Sequence, residues 1–278
     1  NLGNDIVVVV SAMGHTTDIL TDLAKQISPN PSSREMDMLL STGEGVSIAL
    51  LAMALQAQGC DAVSMNAMQV GIITENVHSK ARILDIKTER IKNYLKQGNV
   101  VVIAGFQGVT PEGEITTLGR GGSDTSAVAL AGALDAARCD IYTDVEGVYT
   151  TDPRIVPNAS RLDIVSYEEM LELARVGANV LHPRSVETAK QFNVPLRVRS
   201  SFKLDNLGTL ILKRKPFEGI PMTLDFSSVT DKTESGKKIV KAGTPIGATG
   251  VIAIPHLGAS TPESEDNSGF IPSMNSST

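Results

Sequence analysis

Thr116–Thr117–Leu118–Gly119–Arg120–Gly121–Gly122–Ser123–Asp124–Thr125 lies between an apolar run, Val100 to Phe106, and an alanine-rich segment, Ser126 to Ala137. The run reads as a buried strand and the segment as a helix packed close to its neighbours. Three glycines let the backbone approach a ligand and adopt positive φ. Ser123 or Asp124 is placed to cap the helix that follows, whose free N–H groups favour an anion. Arg120 adds a planar fork suited to a carboxylate or a phosphate. The stretch reads as a loop that holds an anion, or as a glycine-rich turn with an ordinary cap; its residues alone leave both open. The chain has no G-x-x-x-x-G-K-[ST], and these glycines do not make G-x-G-x-x-G, so the commoner phosphate fingerprints are excluded.

Working outward, Ile6 to Val10 is apolar at every position and suits a parallel strand covered on both faces. Ser11 to Thr17 follows as a polar turn, with a helix expected from Thr17 or Asp18 to Ile27. Pro29 to Ser33 breaks the chain before a helical stretch from Arg34, and Val46 to Gln58 continues as a long helix. Met36, Met38 and Met53 read there as core filler. Glu44 sits on this apolar stretch, where a carboxylate needs a partner or water; it reads either as a partner for an ammonium or as a surface carboxylate.

Ala62 to Val70, Gly71 to Thr74 and Ala81 to Leu84 read as short strands, Thr88 to Gln97 as a helix ended by Gly98, and Gln107 to Glu114 as a loop. Cys139 to Asp144 is the next strand. The loop Val145 to Arg154 carries a carboxylate, an aromatic ring and an arginine that could hold a nucleotide. Ser166 and Glu169 are spaced as a capping box on a helix to Gly177. Pro183 to Phe192 is helical, and Leu196 to Ser200 is a strand. Strands alternating with helices to about Leu212 argue for an α/β sandwich with a mostly parallel sheet.

Composition sets the outer bounds. The chain has 278 residues, is 41% hydrophobic and carries a formal charge of −6 with no tryptophan, which argues against nucleic acid as a partner. No apolar run approaches the length that spans a bilayer, and Asn1 to Asp5 does not read as a signal peptide, so the expected location is cytoplasmic with no membrane partner. Cys60 and Cys139 lack metal-ligand spacing and read as small buried residues in a reducing compartment.

Six blocks in order make the chain resemble the aspartate kinases of the amino acid kinase superfamily, from about Asn4 to Leu212. They are Val8 to Gly14, Arg34 to Leu40, Gly105–Phe106–Gln107–Gly108, the opening stretch, Thr143 to Arg154, and Pro195 to Ser201. The resemblance implies a three-layer αβα sandwich and transfer of the ATP γ-phosphoryl group to the side chain of L-aspartate. The product would be 4-phospho-L-aspartate, at the head of lysine, threonine and methionine synthesis. It implies Arg120, Ser123 and Asp124 at the reacting groups, with Thr17, Glu44, Phe106, Gly121 and Gly122 around aspartate. Ser11, Thr143, Asp144, Tyr149, Arg154 and Asn179 would face the nucleotide. Mg²⁺ would be carried mostly by ATP, with no protein metal cage. Alternatives in the same superfamily act on glutamate, N-acetylglutamate or UMP; a non-catalytic nucleotide-binding domain is the reading from another class. A homo-oligomer and a separate regulatory subunit both fit the resemblance.

Three departures from the family pattern shape the expectations. The family opens on a strand ending Lys–Phe–Gly–Gly–Thr, and this chain starts after it; without that lysine, weak or no activity is expected. Asn179 stands where the family usually has lysine. Residues 213–278 lack the paired regulatory domains and read as a poorly structured tail. Within that tail, Ile254 to Thr261 resembles a short piece of D-3-phosphoglycerate dehydrogenase, with His256 an orphan loop residue.

Overall fold

The computed structural model describes residues 4–175, 180–203 and 205–213, with the backbone of 245–246 and 251–252. The chain divides into two units, Asn1–Arg214 and Lys215–Thr278. Asn179, His256 and nearly all of the tail lie outside the described residues.

In the first unit, β1 (Val7–Val10), β5 (Val100–Ala104) and β2 (Ala62–Met65) form a parallel sheet in the order β1-β5-β2. Val101, Val102, Ile103 and Ala104 are all fully buried, because β5 is the central strand and both its faces are covered. β1 has a similar composition but is half-buried throughout. The cover on both faces expected for β1 belongs to β5, since β1 has a strand neighbour on one side only among the described residues.

A mixed sheet, β4-β3-β6-β7, follows from β3 (Ile72–Thr74), β4 (Ile83–Ile86), β6 (Gln107–Val109) and β7 (Ile115–Thr117). A third, β8-β10-β11-β9, uses β8 (Cys139–Thr143), β9 (Ile164–Ser166), β10 (Leu196–Ser200) and β11 (Thr209–Leu212), with β8 parallel to β10 and β9 parallel to β11. The helices are α1 (Thr16–Ile27), α2 (Ser33–Ala57), α3 (Ala67–Val70), α4 (Glu89–Lys96), α5 (Gly122–Ala133), α6 (Tyr167–Arg175) and α7 (Pro183–Phe192). In the second unit, β12 (Pro245–Ile246) and β13 (Val251–Ile252) pair antiparallel.

Helix α5 serves two cores. Val128 joins the cluster of Tyr167, Met170, Val186, Leu196, Val198 and Ile211, while Leu130 joins Met65, Ile72, Ile91, Val101 and Ile103. A helix between two cores is apolar on more than one face, which accounts for its alanine-rich sequence.

Several expectations shift. Ala62 to Val70 is not one strand, because Asn66 and Gln69 make a capping box that turns the chain into α3. The segment from Gln107 begins as β6 and pairs antiparallel with β7, so it is half of a hairpin rather than a loop. The strand expected from Ala81 lies at Ile83–Ile86. Ser166 and Glu169 do make their capping box, at 2.8 and 3.2 Å. Met38 and Met53 are 40% and 61% exposed, so they fill no core.

Helix α2 runs unbroken through Gly43 and Gly45. A Cβ at Gly43 would come within 2.8 Å of the Ala12 side chain. The glycine thus admits the loop after β1 against the helix, which offsets its cost of about 1 kcal/mol in a helix interior. Among the described residues, α2 is the one helix whose length and mean hydropathy would suffice to cross a bilayer. In this fold it packs instead on β2, β5 and β7 and carries buried Asp37, Ser41 and Glu44.

Candidate active site

Because β1 and β5 are parallel, their carboxyl ends deliver Ser11 and Phe106 to the same edge of the sheet, where open α/β sheets bind ligands. Phe106 has φ +66, a left-handed conformation unusual for an aromatic residue. It is held there on both sides: its N–H donates to Ser126 Oγ at 3.1 Å, and its carbonyl accepts from the Leu118 N–H at 2.8 Å.

The first turn of α5 presses on this bend. Positions for a Cβ on Gly105 and Gly122 fall 2.8 Å from Ser123 Oγ and 2.9 Å from Phe106 Cδ2, so two glycines permit the approach. The N-cap is Gly121 at φ +68, with no side-chain cap. Ser123 and Asp124 therefore do not cap α5, contrary to expectation; both lie inside its first turn. The free N–H groups at that end make a seat for an anion. Burial pushes the Asp124 carboxyl above the ordinary carboxylate range. Arg120 is exposed and has no ion pair among the described residues.

Glu44 approaches the same edge from α2. It is 3% exposed, so it is not the surface carboxylate that one reading allowed. Its Oε1 accepts from the Ala12 N–H at 3.0 Å, while Oε2 is buried with no hydrogen-bond partner among the described residues. Burial pushes its carboxyl up, and the N–H groups of Glu44 and Ala12 offset only part of that. Thr17 lies in the first turn of α1 and is exposed; its side chain does not cap that helix, whose N-cap is His15.

The residues expected at a nucleotide form a separate group. Thr143 ends β8 and donates to Asp144 Oδ1 at 3.0 Å. Asp144 and, more strongly, Asp152 raise the pKa of Arg154. The Arg154 guanidinium sits on Asp152 at 2.7 to 3.2 Å, so it is engaged two residues away rather than free for phosphate. Tyr149 forms an isolated antiparallel bridge with Arg161. No hydrogen bond or ion pair joins this group to Gly119–Asp124 among the described residues.

Three side chains that the sequence did not single out shape the opening stretch. Asp37, fully buried, accepts from Ser79 N–H at 2.9 Å and Thr117 Oγ at 2.6 Å, and pairs with His78 Nδ1 at 2.9 Å. Arg184 donates to the carbonyls of Leu118, Lys80 and Ala81 at 2.6, 3.3 and 3.3 Å. The Cβ of His182 stands where a side chain on Gly121 would be. Asp37 had a signal in its helical spacing from Glu44; the other two had none.

These features can be set beside known proteins. The model of the amino acid kinase family matches residues 1–200. The aspartokinase of Geobacillus stearothermophilus is 63% identical over 216 residues, 78% of this chain and 53% of that protein. Aspartokinase 2 of Bacillus subtilis is 61% identical over 216 residues, with the same shares. The chain thus spans about half the length of these relatives. Among solved structures, aspartate kinase from Synechocystis superposes with TM-score 0.67 at 57% identity, covering 76% of this chain and 35% of that one. E. coli aspartokinase III in complex with aspartate and ADP gives TM-score 0.65 at 34% identity, covering 73% and 46%. The family match covers most of the chain and agrees with its mostly parallel, helix-flanked sheets: the chain belongs to the amino acid kinase family.

Proposed function

We propose that the chain transfers the γ-phosphoryl group of MgATP to the side-chain carboxylate of L-aspartate, giving 4-phospho-L-aspartate, the step that leads toward lysine, threonine and methionine. The observation that carries this reading is Glu44, a buried carboxylate with one oxygen held by Ala12 and the other without a hydrogen-bond partner among the described residues. A buried anion is stabilised by a cation, and the ammonium of an amino acid supplies one. The likeness to aspartokinases supports aspartate over other acids.

Phosphoryl transfer requires two anions held in line with their charge offset. Arg120 clamps an aspartate carboxylate, and Thr17, Phe106, Gly121, Gly122 and Ser123 shape the rest of that seat. Asp124, at the start of α5, orders the cations that face the transferred group. Ser11, Thr143, Asp144, Tyr149 and Arg154 serve the nucleotide, with Arg154 leaving Asp152 for phosphate. Mg²⁺ arrives as part of the nucleotide substrate.

Hydroxylamine trapping with ATP and a panel of acids tests this. Aspartyl hydroxamate as the main product supports it. A different acyl hydroxamate moves the reading to another acid within the family, and ATP binding without any hydroxamate indicates a binding domain.

A further inference from the structure

The turn at residues 78–81 does not touch any group so far assigned to substrate, yet it is fastened more firmly than a surface turn needs. On one side Asp37 of α2 takes the Ser79 N–H on both its oxygens, at 2.9 and 3.1 Å, pairs with His78 and accepts from Thr117. On the other side Arg184, near the start of α7, spans the carbonyls of Lys80, Ala81 and Leu118. The Ala81 N–H completes the seam on Thr117 O at 2.9 Å. Ser79 adopts φ +68, a conformation that these contacts over-determine.

The turn also fits the opening stretch closely. Gly119 has φ +77, and a Cβ there would lie 2.8 Å from Ser79 O. The residue after Gly119 is Arg120. The backbone that aims the guanidinium is therefore seated on a turn clamped from two unrelated helices.

We propose that Asp37 and Arg184 are positioning residues for the aspartate site: together they hold the 78–81 turn as a buttress under Leu118–Gly121 and so fix where Arg120 points. This rests on the functional reading above. A fully buried carboxylate that holds three partners, Ser79 N–H, His78 and Thr117, gives rigidity that a neutral residue cannot match. Lysine cannot reproduce a guanidinium spread over three carbonyls. Because both side chains act through one turn, their effects overlap: once either clamp is lost, the other holds less.

The test uses Asp37→Asn, Arg184→Lys and the double variant of the full chain. Each single variant is expected to raise KM for aspartate about tenfold, the scale of one lost charge-assisted hydrogen bond. KM for ATP should stay within about twofold, and the double variant should fall well short of the product of the singles. Deuterium exchange at Gly119–Gly122 should speed up in each. Equal rises in both KM values, strictly multiplicative effects, or unchanged exchange in that stretch would overturn the proposal. If Asp37→Asn fails to fold, Arg184→Lys decides alone by the KM split and exchange. A wild-type chain that makes no aspartyl hydroxamate sinks the functional reading instead, and exchange at Gly119–Gly122 then judges the buttress.

Discussion

Glu44 Oε1 lies 3.0 Å from the backbone nitrogen of Ala12, which ties the middle of α2 to the loop leaving β1, while the second oxygen of the same carboxylate has no hydrogen bond among the described residues. Glu44→Gln keeps an acceptor for Ala12 and removes the charge. We expect KM for aspartate to rise about a hundredfold, a loss of roughly 2–3 kcal/mol, with the melting temperature no lower than wild type. Steady-state assays and calorimetry check both. An unchanged KM would remove Glu44 from the substrate site.

The same carboxylate sets a pH dependence. Its folded pKa is raised by burial above the ordinary value of 4.5. Its contribution to stability is thus fully present below pH 4.5 and is lost as pH rises through the folded pKa. Aspartate binding needs the ionised form, so kcat/KM should climb over that same window. Glu44→Gln should flatten this part of both profiles; profiles that overlay wild type would show that another group titrates.

Asp124 tests the chemistry rather than the seat. Asp124→Asn should lower kcat about 10²–10³-fold while changing KM for aspartate only a few-fold, as expected for an electrostatic role at the reacting groups. A loss confined to KM would reassign Asp124 to binding.

His182 is predicted to report pH through stability. Burial first, then Arg184 and Arg120, hold its pKa below the ordinary 6.5, while Glu187 opposes them weakly. Stability from this group is present above pH 6.5 and is lost as pH falls through the folded pKa. His182→Asn retains a side-chain acceptor for the Arg184 N–H, which His182 Nδ1 now meets at 3.3 Å. Denaturant titrations should show that variant losing less stability between neutral and mildly acid pH; an identical slope counts against the assignment.

Gly121→Ala should cost about 1–3 kcal/mol, since φ +68 disfavours any side chain and the Cβ overlaps His182. Urea melts measure it, and a change under 0.5 kcal/mol, the usual scale of surface substitutions, would mean that the turn rearranges freely.

What the sequence could convey depended on how local each cause was. β5 was legible because its burial comes from its own apolar run, whereas β1 reads the same and differs only by its place in the sheet. The capping box of α3 is written in Asn66 and Gln69, but a four-residue helix is too short to show periodicity. Glu44 stood out as a carboxylate among apolar neighbours on a helix. Asp37 shares its face of the helix only by its seven-residue spacing from Glu44, and its partners, 41, 42 and 80 residues away, left no local mark. Arg154 reads as a nucleotide contact, and its pairing with Asp152, two residues before it, is not visible from its residue type alone.

Helix α2 also acts as a gauge. Asp37 and Glu44 are seven residues apart on one rigid helix, about 10.5 Å along its axis and nearly two turns around it. That interval sets the separation between the loop after β1 and the turn at Ser79. Surface loops elsewhere in the fold can lengthen or shorten without changing it. One residue inserted between Asp37 and Glu44 would swing one of them about 100° off its face. The permitted insertions in this chain are therefore decided by a stretch of regular helix, where length is the property that has to be kept.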